Sequence, residues 1–343
     1  MNKIGILTGG GDCPGLNPVI RAVVRKGLAE GFEIIGIKNG WKGMVENDTM
    51  PLNLDTVSGI LPKGGTILGT SRTNPYKKEG ELQKVKDNFK KMGLYALIAT
   101  GGEDTLGVAS KLTKDGIPNV VGVPKTIDND LSCTDYTFGF DTAINVAMEC
   151  IDRLHTTAES HHRIIVAEVM GRHAGWIALE AGIAGGADII LIPEKPIDLD
   201  EVCAILKKRH SRGKTFSIVV VAEGAQFNSK EHITQEDKLD AFGHVRLGGI
   251  GEILAAGIEK KTGFETRVSV LGHIQRGGSP TAFDRVLGTR FGVKAVELVK
   301  NKKFGQMVAL SGNKIIDVPL EDAVKALKTV DDELYEIAKV FFG

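Results

Sequence analysis

Two polar segments each follow an apolar run and carry the residue types that handle phosphate groups. In Leu94–Thr105 the apolar run ends in two glycines, which two acids and a threonine follow. In Pro124–Asp130 a lysine follows the proline, and two acids come three and five residues after that lysine. If both runs are parallel neighbouring strands, their carboxyl ends emerge at one edge of a sheet, where open α/β sheets bind ligands. We expect these side chains to converge there: Glu103, Asp104, Lys125, Asp128 and Asp130.

A converged set of this kind has the components of phosphoryl transfer. Adjacent glycines let backbone N–H groups approach a phosphate, and the positive end of a following helix favours its charge. A carboxylate beside phosphates commonly holds Mg²⁺, which needs only one or two protein carboxylates. A second carboxylate can accept the proton of a hydroxyl nucleophile. Each acid on its own is more simply explained as a solvated helix cap. Five charged groups on two matching segments, however, favour a phosphoryl-transfer site.

Composition and charge exclude several classes of protein. The 343 residues carry a formal net charge of zero, so no basic field recruits nucleic acid. The four cysteines are scattered without a C-x-x-C pair, which favours reduced thiols over disulfides or a zinc site. No apolar run approaches the ~20 residues that span a bilayer, and the first residues enter a strand without a signal-peptide layout. We expect a soluble, cytoplasmic protein of two domains, without nucleic-acid or membrane partners.

A further glycine-rich segment, Gly9–Asn17, lies between a strand and a helix but fits neither standard nucleotide fingerprint. The dinucleotide pattern G-x-G-x-x-G fails because Pro14 stands where its last glycine belongs. The only Gly-Lys-Thr, Gly213–Thr215, has Lys208 in place of the first P-loop glycine and precedes a strand. These mismatches argue against a nicotinamide-dependent oxidoreductase, the alternative from another enzyme class.

Apolar strands alternate with helical segments, which predicts an α/β fold with parallel sheets covered on both faces. The polar stretch 226–247 is predicted to be a surface excursion, and Glu321–Phe342 to be mostly helical. The turns that end the strands form two groups. The first is rich in glycine and carboxylates and suits a metal-bound phosphate donor; it lies near residues 8–15, 70–72, 101–104 and 125–130. The second is cationic and suits a sugar phosphate; it contains Arg163, Arg172, Arg267, His273 and Arg276.

These strand-end motifs resemble the phosphofructokinase family over essentially the whole chain. Seven segments match its signatures in order: Gly9–Asn17, Gly69–Arg72, Gly101–Thr105, Pro124–Asp130, Met170–Gly175, Glu223-Gly224 and His273–Gly278. The resemblance implies phosphoryl transfer to the 1-hydroxyl of fructose 6-phosphate, a step of glycolysis. It also implies two Rossmann-like, doubly wound domains with mainly parallel sheets and an active site in the cleft between them. The donor domain would comprise 1–139 plus 275–327, and the sugar-phosphate domain 140–274 plus 328–343.

The resemblance also assigns roles residue by residue. Asp128 would be the general base, and Glu103 would carry Mg²⁺, although the family usually has aspartate there. Gly11 would lie against the donor phosphates, while Arg72 and Arg172 would stabilise charge on the transferred phosphoryl group. The sugar phosphate would be bound by Thr126, Asp128, Asp130, Arg163, Met170, Gly171, Arg172, Glu223, Arg267, His273 and Arg276.

Two positions indicate the donor. ATP-dependent members resemble Gly-Gly-Asp-Gly in the first motif and often Pro-Gly-Thr in the second, whereas this chain has Asp104 and Lys125, the pair seen in pyrophosphate users. An aspartate fills the space of a nucleotide's α-phosphate and ribose and repels that phosphate, and a lysine adds a compact cation for a phosphate without a nucleoside. Some ATP users of the mixed-substrate branch share the lysine, so Asp104 decides the assignment. The resemblance therefore indicates a reversible, pyrophosphate-dependent phosphofructokinase.

Three alternatives stay open at this point. The first is an ATP-dependent 6-phosphofructokinase, and the second is a sugar-phosphate sensor without catalysis. The third is sedoheptulose 7-phosphate as a further acceptor. A sensor would not need a base, a metal ligand and a phosphoryl-binding arginine, and the chain retains all three residue types at the matching positions.

The resemblance further implies a homo-oligomer, either a tetramer or a dimer. Arg163 and Arg267 would reach the sugar phosphate of a neighbouring subunit. Arg21 and Arg25 match the effector-site helix of regulated bacterial members, but the Asp55–Leu61 stretch lacks the arginine of the corresponding loop. We therefore expect no strong allosteric regulation.

Overall fold

The computed structural model describes residues 1–228 and 249–343, which divide into two units. The first unit contains residues 1–142 and 276–327, and the second contains residues 143–275 and 328–343. Of the excursion predicted at 226–247, all but residues 226–228 lie outside the described residues. Each unit contains a mainly parallel sheet, which confirms the predicted α/β class.

Strands and helices alternate along most of the described chain. The strands are β1 (Lys3–Thr8), β2 (Glu33–Ile37), β3 (Thr49–Leu52), β4 (Leu94–Gly101), β5 (Val120–Pro124), β6 (Ile164–Val169), β7 (Ile189–Leu191), β8 (Ser217–Ala222), β9 (Thr266–Val270), β10 (Gln306–Ser311) and β11 (Lys314–Pro319). The helices are α1 (Leu16–Ala29), α2 (Trp41–Glu46), α3 (Glu81–Lys91), α4 (Glu103–Lys114), α5 (Phe140–His161), α6 (Trp176–Ala184), α7 (Leu199–Ser211), α8 (Ile250–Thr262), α9 (Ala282–Lys300), α10 (Leu320–Ala323) and α11 (Asp332–Lys339). A 3-10 turn covers Gly272–Arg276.

In the described part of the first unit, seven strands form one sheet in the order β11-β10-β5-β4-β1-β2-β3. The five inner strands pair in parallel, and only the edge strands β3 and β11 run antiparallel to their neighbours. Because helices cover the inner strands, β4 and β5 are almost continuously buried and apolar. One core cluster includes Leu7, Leu97, Leu106 and Met307. The carboxyl ends of β1, β4 and β5 therefore lie side by side.

The second unit, as far as it is described, has a four-stranded, fully parallel sheet in the order β7-β8-β6-β9. Its core cluster includes Val166, Val219 and Leu254. The register places Val169 opposite Ala222, so the carboxyl ends of β6 and β8 finish together. The segments that follow these two strands are consequently neighbours.

The predicted helical segment at the end of the chain is partly wrong. Glu321–Phe342 is not mostly helical, because residues 324–331 separate α10 from α11. Asp331 starts the new helix, since its side chain accepts a hydrogen bond from the N–H of Leu334 at 2.8 Å. Within residues 1–228 and 249–343, no helix combines the length and apolar character needed to cross a bilayer.

A buried carboxylate joins the starts of α5 and α9. Asp284 has no solvent exposure and accepts hydrogen bonds from the N–H of Thr142 at 2.8 Å and from its hydroxyl at 2.5 Å. Thr281 caps α9 and donates its hydroxyl hydrogen to Asp141 at 2.5 Å. Burial raises the pKa of Asp284 to about 6, although the bonds from Thr142 oppose the shift. The folded chain therefore holds the Asp284 proton more tightly than the unfolded chain does.

This pKa difference predicts a pH-dependent stability difference between the wild type and Asp284→Asn. Stability contributed by the protonated carboxyl is present below its unfolded pKa and is lost as pH rises through about 6. The free energy of unfolding of the wild type, minus that of the variant, should fall by roughly 2 kcal/mol between pH 4 and pH 7.5. Urea unfolding of both proteins at several pH values measures it. A constant difference would contradict the raised pKa.

Candidate active site

Backbone hydrogen bonds join the carboxyl ends of the central strands in the first unit. The N–H of Gly9 donates to the carbonyl of Thr100 at 2.9 Å, and the N–H of Lys125 donates to the carbonyl of Gly101 at 2.9 Å. The N–H of Gly10 donates to the carbonyl of Ser71 at 3.1 Å. Parallel pairing thus brings together the starts of the predicted donor segments, which the sequence separates by up to 116 residues between Gly9 and Lys125.

The side chain of Thr105 explains two of the glycines at these strand ends. Thr105 is buried and occupies the space in front of Gly9 and Gly101. A Cβ atom at position 9 would lie 2.6 Å from the Thr105 hydroxyl oxygen, and one at position 101 would overlap the Thr105 Cβ. The turns can approach each other this closely only because both residues are glycine.

Two cations contact the loop that follows β1. Lys125 is 4% exposed, and its ammonium group donates a hydrogen bond to the carbonyl of Gly11. Arg276 donates from Nη1 to the carbonyl of Asp12 at 3.4 Å, and a Cβ at Gly11 would overlap its guanidinium. Burial is the main cause that lowers the pKa of Lys125; the positive charge of Arg276 lowers it further, and the interaction with Cys13 opposes the shift. Arg276, which the resemblance places on the sugar phosphate, therefore also touches the loop expected to meet the donor.

Two carboxylates begin the helix after β4. Glu103 and Asp104 form the first turn of α4, where a negative charge interacts favourably with the helix dipole. Both side chains are exposed and line a cavity of about 540 Å³. Lysines also line it, namely Lys111, Lys114 and Lys325. Among the described residues, no group of three or more His, Cys, Asp or Glu side chains has the arrangement of a metal site. The carboxylates therefore suit a metal that arrives with a phosphate ligand better than a metal caged by protein.

The loop after β5 is fixed by its own side chains. The N–H of Asp128 donates to the Thr126 hydroxyl at 3.0 Å, and the Thr137 hydroxyl donates to the Thr126 carbonyl at 2.7 Å. Asn129 has a left-handed φ of 50°, and its side-chain oxygen accepts from the N–H of Thr137 at 3.1 Å. Asp128 and Asp130 are half-buried in this loop. These bonds fix the backbone from which the Asp128 carboxylate extends, and a carboxylate in a fixed position suits a proton acceptor.

In the second unit, the segments after β6 and β8 pack against each other. The N–H of Glu223 donates to the carbonyl of Val169 at 2.8 Å, and the N–H of Gly224 donates to the carbonyl of Gly171 at 3.1 Å. A Cβ at Gly224 would overlap the backbone of Arg172. The pairing brings together the predicted sugar-phosphate residues Met170, Gly171, Arg172 and Glu223.

The other predicted arginines of this unit lie at the opposite edge of the same sheet. Arg163 directly precedes β6, and Arg267 is the second residue of β9. Met170 follows the other end of β6, and a strand rises about 3.3 Å per residue, so roughly 20 Å separates the two edges. Within one chain, the structure thus does not bring Arg163 and Arg267 to the segment that contains Met170.

Three residues that organise these segments were missed in the sequence. Thr105 fills the space between the glycine turns, as described above. Gln275 is fully buried. Its side chain accepts a hydrogen bond from the N–H of Met170 at 3.3 Å and donates one to the carbonyl of Gly272 at 3.0 Å. These bonds fix the turn that contains the exposed His273. Glu265 accepts hydrogen bonds from both edge arginines. Thr105 and Gln275 lay inside motifs that the sequence had singled out, whereas Glu265 did not.

Comparisons with known proteins show which family the chain resembles along its whole length. A family profile described as phosphofructokinase matches residues 3–299. The chain is 59% identical to pyrophosphate–fructose 6-phosphate 1-phosphotransferase of Streptomyces coelicolor, over 99% of this chain and 100% of that protein. It is 53% identical to ATP-dependent 6-phosphofructokinase of Mycobacterium leprae, with the same coverage of both chains. It matches the structure of phosphofructokinase from Saccharomyces cerevisiae with a TM-score of 0.81 at 32% identity, over 99% of this chain and 47% of the yeast chain. The chain thus spans about half the length of that yeast chain.

The packing around Gly224 predicts a local stability cost. Gly224→Ala should lower the free energy of unfolding by about 1–3 kcal/mol, because the new methyl group meets backbone atoms of Arg172 that cannot rotate away. Gly107→Ala is the matched control, since no atom lies within 4 Å of a Cβ at that helical position. The control should be neutral or stabilising by about 0.5–1 kcal/mol. Urea unfolding measures both changes, and equal effects would contradict the close packing.

Proposed function

The chain belongs to the phosphofructokinase family, and we propose that it transfers a phosphoryl group from pyrophosphate to the 1-hydroxyl of fructose 6-phosphate. The products are fructose 1,6-bisphosphate and phosphate. The observation that carries the donor assignment is the position of Asp104, whose exposed carboxylate lines the cavity of about 540 Å³ at the start of α4. Lys125 and Arg276, which contact the loop at Gly11, provide positive charge for the two phosphates of the donor.

The first unit binds the donor. The backbone around Gly11 approaches the phosphate oxygens, and Lys125 and Arg276 neutralise their charge. Glu103 would hold Mg²⁺, and the fit rests on its exposed position in the first turn of α4 beside a second carboxylate. When bound, the metal neutralises charge on the donor phosphates. Asp104 lines the cavity beside this position and opposes further negative charge there.

Asp128 accepts the proton of the sugar's 1-hydroxyl as that oxygen attacks the phosphoryl group. Thr126 accepts hydrogen bonds from the N–H of Asp128 and from the Thr137 hydroxyl, and these bonds hold the loop, so little reorganisation is needed before proton transfer. Arg72 and Arg172 stabilise the charge that develops on the transferred group, which is the main requirement of phosphoryl transfer.

The second unit binds the sugar phosphate, through Met170, Gly171 and Glu223 after β6 and β8 and through His273 in the 3-10 turn. Arg163 and Arg267 serve the site of a neighbouring copy of the chain. The support is geometric, since roughly 20 Å of strand β6 separates Arg163 from Met170 in its own chain. Assembly of a homo-oligomer, a tetramer or a dimer, is then a condition of full sugar-phosphate binding.

The donor assignment is tested with Asp104→Gly and Asp104→Asn. Initial rates with fructose 6-phosphate and Mg²⁺ are compared for pyrophosphate and ATP. The wild type should use pyrophosphate, and both variants should gain ATP-dependent kcat/KM by at least about tenfold, because like charges facing each other cost several kcal/mol. The asparagine variant keeps the side-chain volume, so it separates charge from steric exclusion. A wild type that prefers ATP would establish the ATP-dependent enzyme instead.

The shared site is tested with hybrid oligomers of Asp128→Asn and Arg163→Gln subunits, purified through two different tags. Asp128→Asn alone should lower kcat by about 10²–10⁴. Arg163→Gln alone should raise KM for fructose 6-phosphate about tenfold or more, since a hydrogen bond to a charged group contributes ~1.5–3 kcal/mol. In the hybrid, active sites on Arg163→Gln subunits receive the intact arginine from their neighbours and should recover a wild-type KM. A KM that stays high would place Arg163 in its own subunit's site.

A further inference from the structure

Two arginines at the amino edge of the second sheet share one carboxylate oxygen. Oε1 of Glu265 lies 2.8 Å from Nη2 of Arg163 and 2.5 Å from Nη2 of Arg267. These residues come from adjacent parallel strands, since Ile164 pairs with Thr266 at the start of β6 and β9. The N–H of Ile164 also donates to the Glu265 carbonyl at 3.0 Å. Strand pairing therefore fixes the backbone from which all three charged side chains extend.

The Glu265 carboxylate offsets the repulsion between Arg163 and Arg267. Without it, two guanidinium groups would face each other from neighbouring strands, and like charges at such positions repel. The Glu265 side chain is 41% exposed, between the Arg163 side chain at 30% and the Arg267 side chain at 55%, so all three reach solvent. The hydrogen bond from Arg163 lowers the pKa of Glu265, against its desolvation, and the carboxylate stays ionised at neutral pH.

The contact leaves donors available on both arginines. Each guanidinium carries five N–H donors, and each uses one nitrogen to contact Glu265. Arg267 additionally donates from Nη1 to the carbonyl of Thr266 at 3.0 Å, which restrains its side chain. The Nε of Arg163 is buried and has no hydrogen-bond partner among the residues that the structure describes. With a net charge of +1 for the three groups, the pair can still attract a phosphate dianion.

We propose that Glu265 is a positioning residue that holds Arg163 and Arg267 side by side as a single phosphate-binding pair for a neighbouring copy of the chain. This inference rests on the proposed function and extends it by naming what orders the two arginines. Long arginine side chains lose much rotamer freedom when they bind a ligand, and ordering them beforehand reduces that loss. The sugar phosphate therefore meets a pair whose spacing is already set.

The test compares Glu265→Gln, Glu265→Asp and the control Glu336→Gln, which removes an exposed ion pair with Lys339 on α11. In Glu265→Gln, KM for fructose 6-phosphate should rise about fivefold, within the range that coupled neighbours show. Its kcat and its KM for pyrophosphate should stay within about twofold of the wild type, and the control should match the wild type. Glu265→Asp keeps the charge and should restore part of the lost affinity. An unchanged KM in Glu265→Gln would show that the carboxylate does not contribute to sugar-phosphate binding, and a lowered KM would show that it competes with the phosphate. Either result would overturn the proposal.

A second measurement separates positioning from a general structural role. In a background with Arg163→Gln and Arg267→Gln, adding Glu265→Gln should change KM less than about twofold, because Glu265 acts only through the arginines. An equal rise in both backgrounds would overturn the proposal. Light scattering should give the same oligomer for the wild type and Glu265→Gln, and dissociation of the variant would assign Glu265 to assembly instead.

Calorimetric titration with fructose 6-phosphate distinguishes this inference from the proposed function, because binding needs no turnover. A wild type that binds the sugar phosphate but transfers no phosphoryl group contradicts the proposed function, and the Kd of Glu265→Gln still tests the positioning role. A wild type that transfers phosphoryl groups while Glu265→Gln binds with an unchanged Kd contradicts the positioning role alone. A wild type that does not bind fructose 6-phosphate contradicts both.

Discussion

The parallel pairing of β1, β4 and β5 is the interaction on which the donor side of this molecule depends. It ends in two backbone hydrogen bonds, from Gly9 to Thr100 and from Lys125 to Gly101, that bring three separate turns to one edge. Thr105 fills the space that the glycines leave open, so the turns cannot move apart or together without disturbing the start of α4. The chemistry assigned to this edge requires charges from distant parts of the chain, and the strand ends place them.

In the second unit, the length of strand β6 determines which residues lie together as much as strand pairing does. The carboxyl ends of β6 and β8 bring Met170 and Glu223 together, whereas the amino end of β6 holds Arg163 far from them. In the proposed function, these two ends of one sheet bind phosphate groups of different copies of the chain. Arg163 and Arg267 can then contribute only in an assembly, which would make assembly part of substrate binding and not only of stability.

Buried strands and the turns after them were accessible from the sequence, because both depend on local residue types. The alternation of apolar runs with helical segments was enough to predict an α/β fold with parallel sheets. The break between α10 and α11 was missed, since helical periodicity on both sides concealed the cap at Asp331. Contacts such as that of Arg276 with the Gly11 loop were beyond sequence reasoning, because they join segments more than 260 residues apart and follow only from tertiary packing.

Overall similarity to the family does not decide between pyrophosphate and ATP as the donor. Relatives named for pyrophosphate and for ATP match this chain at 59% and 53% identity over the same length, so overall similarity does not separate the two donors. In the proposed function, both donors present a terminal phosphate and its neighbour to the same loop, and they differ in what lies beyond the second phosphate. Asp104 is an exposed carboxylate on the wall of a cavity of about 540 Å³. Because space is available beside it, we expect its charge to be a more effective barrier to a third phosphate than its volume.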